Sequence, residues 1–218
     1  MASSRAATRS RFTATLLRPD APGPDAGWVF LVLPKSASAR LPRRGRTSVE
    51  GTINGCPFQA TLEPDGKRSH WLKVDRALRV SSGAQAGDTV TVDIAAVLEE
   101  PEPAVPPDFK KMLQDSPRAR VVWEETTTIA RVDWIHWMES AKQAKTRATR
   151  VKDAVDMLAS GKARVCCFDP SGVYSKGLCS PPVLADDRPR ALRPGVLVDE
   201  SGNPRHSVVK GAARRRSR

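Results

Sequence analysis

The dipeptide Asn54-Gly55 restricts the fold of this chain more than any other feature. It stands at the centre of SVEGTINGCPFQATL, with Val49 and Ile53 before it and Phe58 and Leu62 after it. Both residues tolerate positive φ, which the type I′ turn of a two-residue hairpin demands, so the segment is expected to fold as two antiparallel strands. Pro57 has no N–H to give to a ladder and belongs near the turn or on an edge. The glycines of GTING are read as turn glycines, since the segment matches neither a phosphate-binding P-loop nor GxGxxG.

Four other segments read as strands. FTATLL at 12–17 and WVFLVL at 28–33 are rich in strand formers and flank the loop PDAPGPDAG. HWLKV at 70–74 follows the turn EPDG. In AGDTVTVDIAAV, Val90, Val92 and Ile94 alternate with Thr91 and Asp93 after the turn at Gly87-Asp88. The intervening DRALRV is a short helix or turn, and 34–46 is rich in Pro and Arg. About six strands with turns at short intervals predict a small, closed or nearly closed antiparallel β-barrel over 11–98. A Pro-rich linker at 99–107 follows, then a helical region at 108–179. The fold class is therefore mainly β plus α. Residues 1–10 and 180–218 are expected to be a disordered basic arm and a disordered basic tail.

In the helical region, Asp108 is a candidate cap for FKKMLQDS, which Pro117 follows, and Thr127 or Thr128 a cap for the next helix. Trp134, Trp137, Ala141, Ala144, Ala148, Val151, Val155 and Leu158 recur at steps of three and four, one apolar stripe on helical geometry. Its alanines allow close backbone approach or a bend. Gly161 is a natural residue to end the stripe's helix.

The formal net charge of +12 suggests nucleic acid, but the excess sits mainly at the two ends of the chain. No run of 18 apolar residues is present, so no membrane span is expected. The start MASSRAATRSRF lacks the apolar stretch of a secretory signal, and a cytoplasmic location is expected. Four cysteines, Cys56, Cys166, Cys167 and Cys179, then read as reduced thiols. They lack the paired spacing of a zinc site, and in an extended segment adjacent Cys166 and Cys167 point to opposite faces. No metal and no cofactor is expected.

A catalytic assignment finds little support. His136 lies between Trp134 and Trp137, so on a helix it faces outward or sideways, and a surface histidine is expected. No Ser or Cys nucleophile is placed beside it. His70 precedes a strand, His206 lies in the tail, and Asp88 is a turn former. Lys142, Lys145, Arg147, Arg150 and Lys152 surround the polar side of the stripe, partly offset by Asp153 and Asp156. They form either a solvated helix face or a surface for an anion or an acidic partner. In the second reading Lys142, Thr146, Arg147 and Arg150 are the binding residues. Trp134 and Trp137 read as core anchors.

Two of these segments resemble known modules. GTINGCPF followed by GDTVTVDI resembles a small bacterial barrel domain of unknown function. WIHWMESAKQAKTRATRVKDAVDMLASGK resembles the YdeI/OmpD-associated, or bacteriocin-protection, region that can follow that barrel. RVCCFDPSGVYSK resembles the short tail that closes some members, so the likeness covers about 11–179. The family pattern carries a proline where this chain has Ala144, which leaves one continuous helix open. The intact neighbouring motif favours two helices or a sharp kink near Lys142–Thr146. The resemblance implies a binding protein active in protection against bacteriocins or cationic peptides or in envelope stress. The basic residues of 142–152 add the expectation of an unknown anionic ligand or acidic protein partner, and no complete catalytic motif speaks for an enzyme. The alternative is a nucleic-acid-associated protein using the basic tails and the 142–152 helix face non-specifically. An enzyme with a site between barrel and helices is a third reading.

Overall fold

The computed structural model describes residues 8–21, 27–175 and 177–187. Six strands form one antiparallel sheet: β1 (Ser10–Thr15), β2 (Val29–Val32), β3 (Thr47–Ile53), β4 (Cys56–Pro64), β5 (His70–Val74) and β6 (Thr89–Ala96). Their order is β1-β6-β3-β4-β5-β2. A single bridge between Leu17 and Phe30 joins the two ends, with N–H···O distances of 2.8 and 2.9 Å in the two directions. The result is the nearly closed barrel that the strand pattern predicts. Val90, Val92 and Ile94 of β6 turn inward onto Val49, Ile53, Leu62, Leu72 and Val74, as the period of two requires.

Asn54 and Gly55 have φ of +50° and +83°, the signs of a type I′ turn. Asn54 also ties the turn to β6: its N–H donates to the Thr91 carbonyl, and its Oδ1 accepts from the Thr91 N–H, each at 2.9 Å. Gly51 has a different origin from the one expected. It lies inside β3 opposite Ile94, and a Cβ there would stand 1.9 Å from the carbonyl oxygen of Asp93. Close strand approach, not turn geometry, requires this glycine.

Two short helices, α1 (Lys35–Ser38) and α2 (Arg76–Ser81), decorate the barrel, and four follow it: α3 (Pro107–Asp115), α4 (Pro117–Glu125), α5 (Thr128–Glu139) and α6 (Ala144–Ala159). Pro107 and Pro117 each start a helix, where a missing N–H costs nothing. Asp108 is therefore not the cap of α3; it lies in the first turn and accepts from the Phe109 N–H. Thr127 caps α5 by accepting from the Ala130 N–H at 3.2 Å. Gly161 ends α6 with φ of +87°.

The long stripe from 134 to 158 does not lie on one helix. The chain leaves α5 after Glu139 and re-enters helix at Ala144, so the even spacing runs across a break. Trp134 and Met138 on α5 meet Val151, Ala154, Val155 and Leu158 on α6 in the helical core with Phe109 and Trp123. Ala144 and Ala148, central to the stripe, are exposed. The break, at 140–143, overlaps the region near Lys142–Thr146 where two helices or a kink are favoured.

Residues 180–187 depart from the expected disordered tail. Val183 bridges Pro19, Leu184 N–H donates to the Arg18 carbonyl at 2.9 Å, and Arg18 pairs with Asp187 at 2.7 Å. Residues 1–7 and 188–218, which carry the rest of the expected arm and tail, lie outside the described residues.

Candidate functional site

The barrel and the helices meet through charge. Arg46, just before β3, donates from Nε to Glu63 of β4 and from Nη1 to Glu139 of α5, the latter at 3.0 Å. Arg43 pairs with Asp133 of α5. Burial pushes the Glu63 carboxyl up against the pull of Arg46, and does the same to Asp133 against the pull of Arg43.

His136 stands within this network and corrects the expectation of a surface histidine. It is 3% exposed because the barrel face of α5 is covered by Arg46, Glu63 and the ring of Phe168. Periodicity within one helix carried no information about that second contact face. Burial, followed by the charges of Arg46 and Arg43, pushes His136 down to about 3. It is neutral, its Nδ1 has no hydrogen-bond partner, and its Nε2 lies 3.7 Å from Glu63. His70 is a satisfied core histidine: Nε2 donates to the Gly45 carbonyl at 3.0 Å, and Nδ1 accepts from the Ser38 hydroxyl at 2.8 Å.

The four residues expected to bind an anion do not converge. Arg147 pairs with Asp108 across α3 and α6. Arg150 caps α5, donating from Nη1 to the Trp137 carbonyl at 2.5 Å and to the Ser140 hydroxyl at 2.9 Å, with its guanidinium over the Trp137 ring. Lys142, in the break before α6, and Thr146, in its first turn, are exposed.

A different pair of arginines faces an open cleft of about 330 Å³. Its walls are Arg44, Arg68, Ser69, Ser171, Val173 and Tyr174. Arg44 comes from the Pro/Arg-rich stretch, Arg68 and Ser69 from the turn between β4 and β5, and Ser171, Val173 and Tyr174 from the segment after α6. The Asp65 carboxylate accepts from the N–H groups of Lys67 and Ser69, each at 2.7 Å, and holds Arg68 between them in the left-handed region at φ +70°. A non-glycine residue held there against its preference points to a constrained surface. On the opposite wall Asp169 accepts from the N–H groups of Ser171, Tyr174 and Ser175. Burial works to raise the Asp169 carboxyl, but the Ser171 hydroxyl and these N–H groups hold it down to about 2.

Both nearby carboxylates are thus occupied by backbone. Among the described residues no carboxylate pairs with the Arg44 or Arg68 guanidinium; the polar contact of Arg44 is with the Arg68 carbonyl at 3.5 Å. Tyr174, 87% exposed, stands at the rim. The two walls touch through Gly66 and Gly172, where an added Cβ would meet the Leu178 carbonyl oxygen at 2.2 Å and the Leu178 side chain at 2.5 Å.

Sequence reasoning missed this site. PRRGR and RVCCFDPSGVYSK were both visible, the first only as a composition bias and the second only as a closing tail. Among the described residues no group of three or more His, Cys, Asp or Glu is placed to hold a metal ion, and no helix is long and apolar enough to cross a membrane.

A six-stranded antiparallel barrel followed by a helical unit defines the class of this protein. Within that class, residues 12–94 match the family model of a domain of unknown function, DUF1905, and residues 102–161 match the family described as bacteriocin-protection, YdeI or OmpD-associated. The two matches lie in tandem along the chain. The first match spans the barrel strands, and the second ends with α6. Arg44 and Arg68 fall inside the first match; Ser171 and Tyr174 lie beyond the second. No curated protein matches the chain.

Proposed function

We propose that this protein is a non-enzymatic binding protein that recognises an anionic group in the cleft of Arg44, Arg68 and Tyr174. The observation that carries the reading is the presence of two guanidinium groups in one cleft that no carboxylate among the described residues pairs with. A guanidinium offers a planar fork of donors that suits a carboxylate or phosphate, and a rim aromatic suits a planar or apolar portion of the ligand. The hydroxyls of Ser69 and Ser171 are engaged with the Leu33 carbonyl and Asp169, so the arginines are the principal donors.

Bacteriocin protection, named in the description of the second family, is the cellular role we assign to this binding. The cytoplasm is the compartment we assign, and four free cysteines fit a reducing environment. Lys142 and Thr146 are exposed near the start of α6, apart from this cleft's lining, while Arg147 and Arg150 serve the helical packing.

The test is calorimetry with inorganic pyrophosphate and with an acidic peptide, on wild type and on Arg44→Ala/Arg68→Ala. Loss of two charge-assisted contacts, each worth about 1.5–3 kcal/mol, weakens affinity by at least about a hundredfold on this reading, with unchanged melting. Equal affinity in the double variant refutes it. A single-stranded oligonucleotide run at rising salt covers the alternative. Oligonucleotide affinity that falls steeply with salt and survives the double substitution assigns nucleic-acid binding to other basic residues.

A further inference from the structure

We propose that Cys166 and Cys167 are a vicinal dithiol, a modification site that closes reversibly to a disulfide when a low-molecular-weight disulfide is the oxidant. The two cysteines do not point to opposite faces, as an extended segment would place them. Cys167 lies in the left-handed region at φ +57°, and this brings the two sulfurs to 3.3 Å from one another. A β-carbon disfavours that backbone region, so the juxtaposition is set by the turn between α6 and the segment that follows. Both thiols are exposed. Lys162 and Arg164 precede the pair in sequence, and positive charge favours an attacking thiolate. The Cys167 thiol is pushed up, first by its hydrogen bond to Cys166 and then by charge at that sulfur, with Lys162 pulling the other way. Cys166, the nearer of the two in sequence to Lys162 and Arg164, is assigned as the sulfur that attacks first.

The exchange balances in two steps. The Cys166 thiolate attacks one sulfur of glutathione disulfide, forming a mixed disulfide and expelling one glutathione thiolate, which takes up a proton. Cys167 then loses its proton to solvent, and its sulfur attacks Cys166 Sγ. The Sγ–Sγ bond forms, the bond to glutathione breaks, and the second glutathione leaves as a thiolate that takes up a proton from solvent. Two protein thiols lose two electrons, and one disulfide gains them.

Proximity makes the second step intramolecular and fast relative to capture of a second glutathione. Adjacent residues have Cα atoms about 3.8 Å apart, below the roughly 4.4–6.8 Å of ordinary disulfides, so such a bridge is readily reduced. The site is therefore suited to reversible modification rather than to structural cross-linking. Its position gives closure a local consequence. The pair directly precedes Phe168, whose ring packs edge-on against His136 at 5.3 Å, and Asp169, which organises one wall of the cleft. The inference does not depend on what the cleft binds.

The experiment treats the full chain with glutathione disulfide, traps free thiols with iodoacetamide and measures the tryptic peptide 165–176, which contains both cysteines and no others. The wild-type peptide is expected to lose about 2 Da, to carry no glutathione and no alkyl group, and to recover both thiols under mild reduction. Cys167→Ser is expected to hold a stable glutathione adduct on Cys166. Wild-type peptide that stays fully alkylated, accumulates one or two glutathione adducts, or is cross-linked to Cys56 or Cys179 overturns the proposal. So does Cys167→Ser protein that forms no adduct on Cys166.

Discussion

Replacing His136 with leucine should remove most of one proton's worth of acid sensitivity from the protein. The folded-state pKa of His136 is about 3, against 6.5 for an unperturbed histidine. Between those values the unfolded chain holds a proton that the native state excludes, so stability falls as the pH drops through the window. The full gap corresponds to roughly 5 kcal/mol at about 1.36 kcal/mol per pH unit, and from pH 7 to pH 5 the loss attributable to this residue is about 2 kcal/mol. With an m-value of ~2 kcal/mol/M, the urea midpoint moves by about 1 M. Glu63 and Asp133, raised by burial, gain protons in the native state first and oppose the trend, whereas His70, lowered by burial, adds to it. All three remain in the variant, along with Arg43 and Arg46. The informative quantity is therefore the difference between wild type and His136→Leu at each pH. Urea unfolding followed by tryptophan fluorescence should show that difference shifting by about 2 kcal/mol in favour of leucine between pH 7 and pH 5. A difference that is the same at both pH values would refute a buried, neutral His136.

Two further contrasts test the structural roles of individual residues. Gly51→Ala should prevent the barrel from forming, because its Cβ would enter the Asp93 carbonyl. Gly55→Ala meets no atom within 4 Å and should cost only the left-handed penalty of roughly 1–2 kcal/mol. Circular dichroism and urea midpoints separate the two outcomes. Arg150→Ala removes the charged cap of α5 and should cost about 2 kcal/mol, or roughly 4–8 °C in melting temperature. Arg147→Ala breaks a half-exposed pair with Asp108 and should cost under about 1 kcal/mol. Equal shifts would show that Arg150 is not holding the end of α5.

The barrel was legible because its signals are local. Alternation in β6, the Asn54-Gly55 turn and the spacing of strand-like segments each act over fewer than a dozen residues, and they agree. The cap at Thr127 and the stop at Gly161 are local in the same sense. Gly51 was misread because the atom that excludes a side chain, the Asp93 carbonyl, is distant in sequence. The apolar stripe from 134 to 158 was real as a pattern and left one continuous helix open, but it is divided between the two helices that the neighbouring motif favoured. Two helices folded against each other can each present an apolar face, and nothing in the period marks the turn between them. His136 was misplaced for a related reason: α5 buries one face on α6 and another on the barrel, and only the first is visible as a stripe. The cleft was least legible. Arg44, Arg68 and Tyr174 come from three separate segments, and the features that place them, backbone amides on Asp65 and Asp169 and contact of Gly66 and Gly172 with Leu178, leave no periodic trace.

The most direct test of the anion-binding account is an NMR titration of the full chain with inorganic pyrophosphate, following the arginine Nε–Hε and tyrosine ring signals. Tyr174 is the sole tyrosine, which makes its ring an unambiguous reporter. Saturable shifts at Arg44, Arg68 and Tyr174, with one common affinity, are the expected result. Saturable shifts confined to the amides of Lys142–Thr146, with the cleft signals unmoved, would contradict the account.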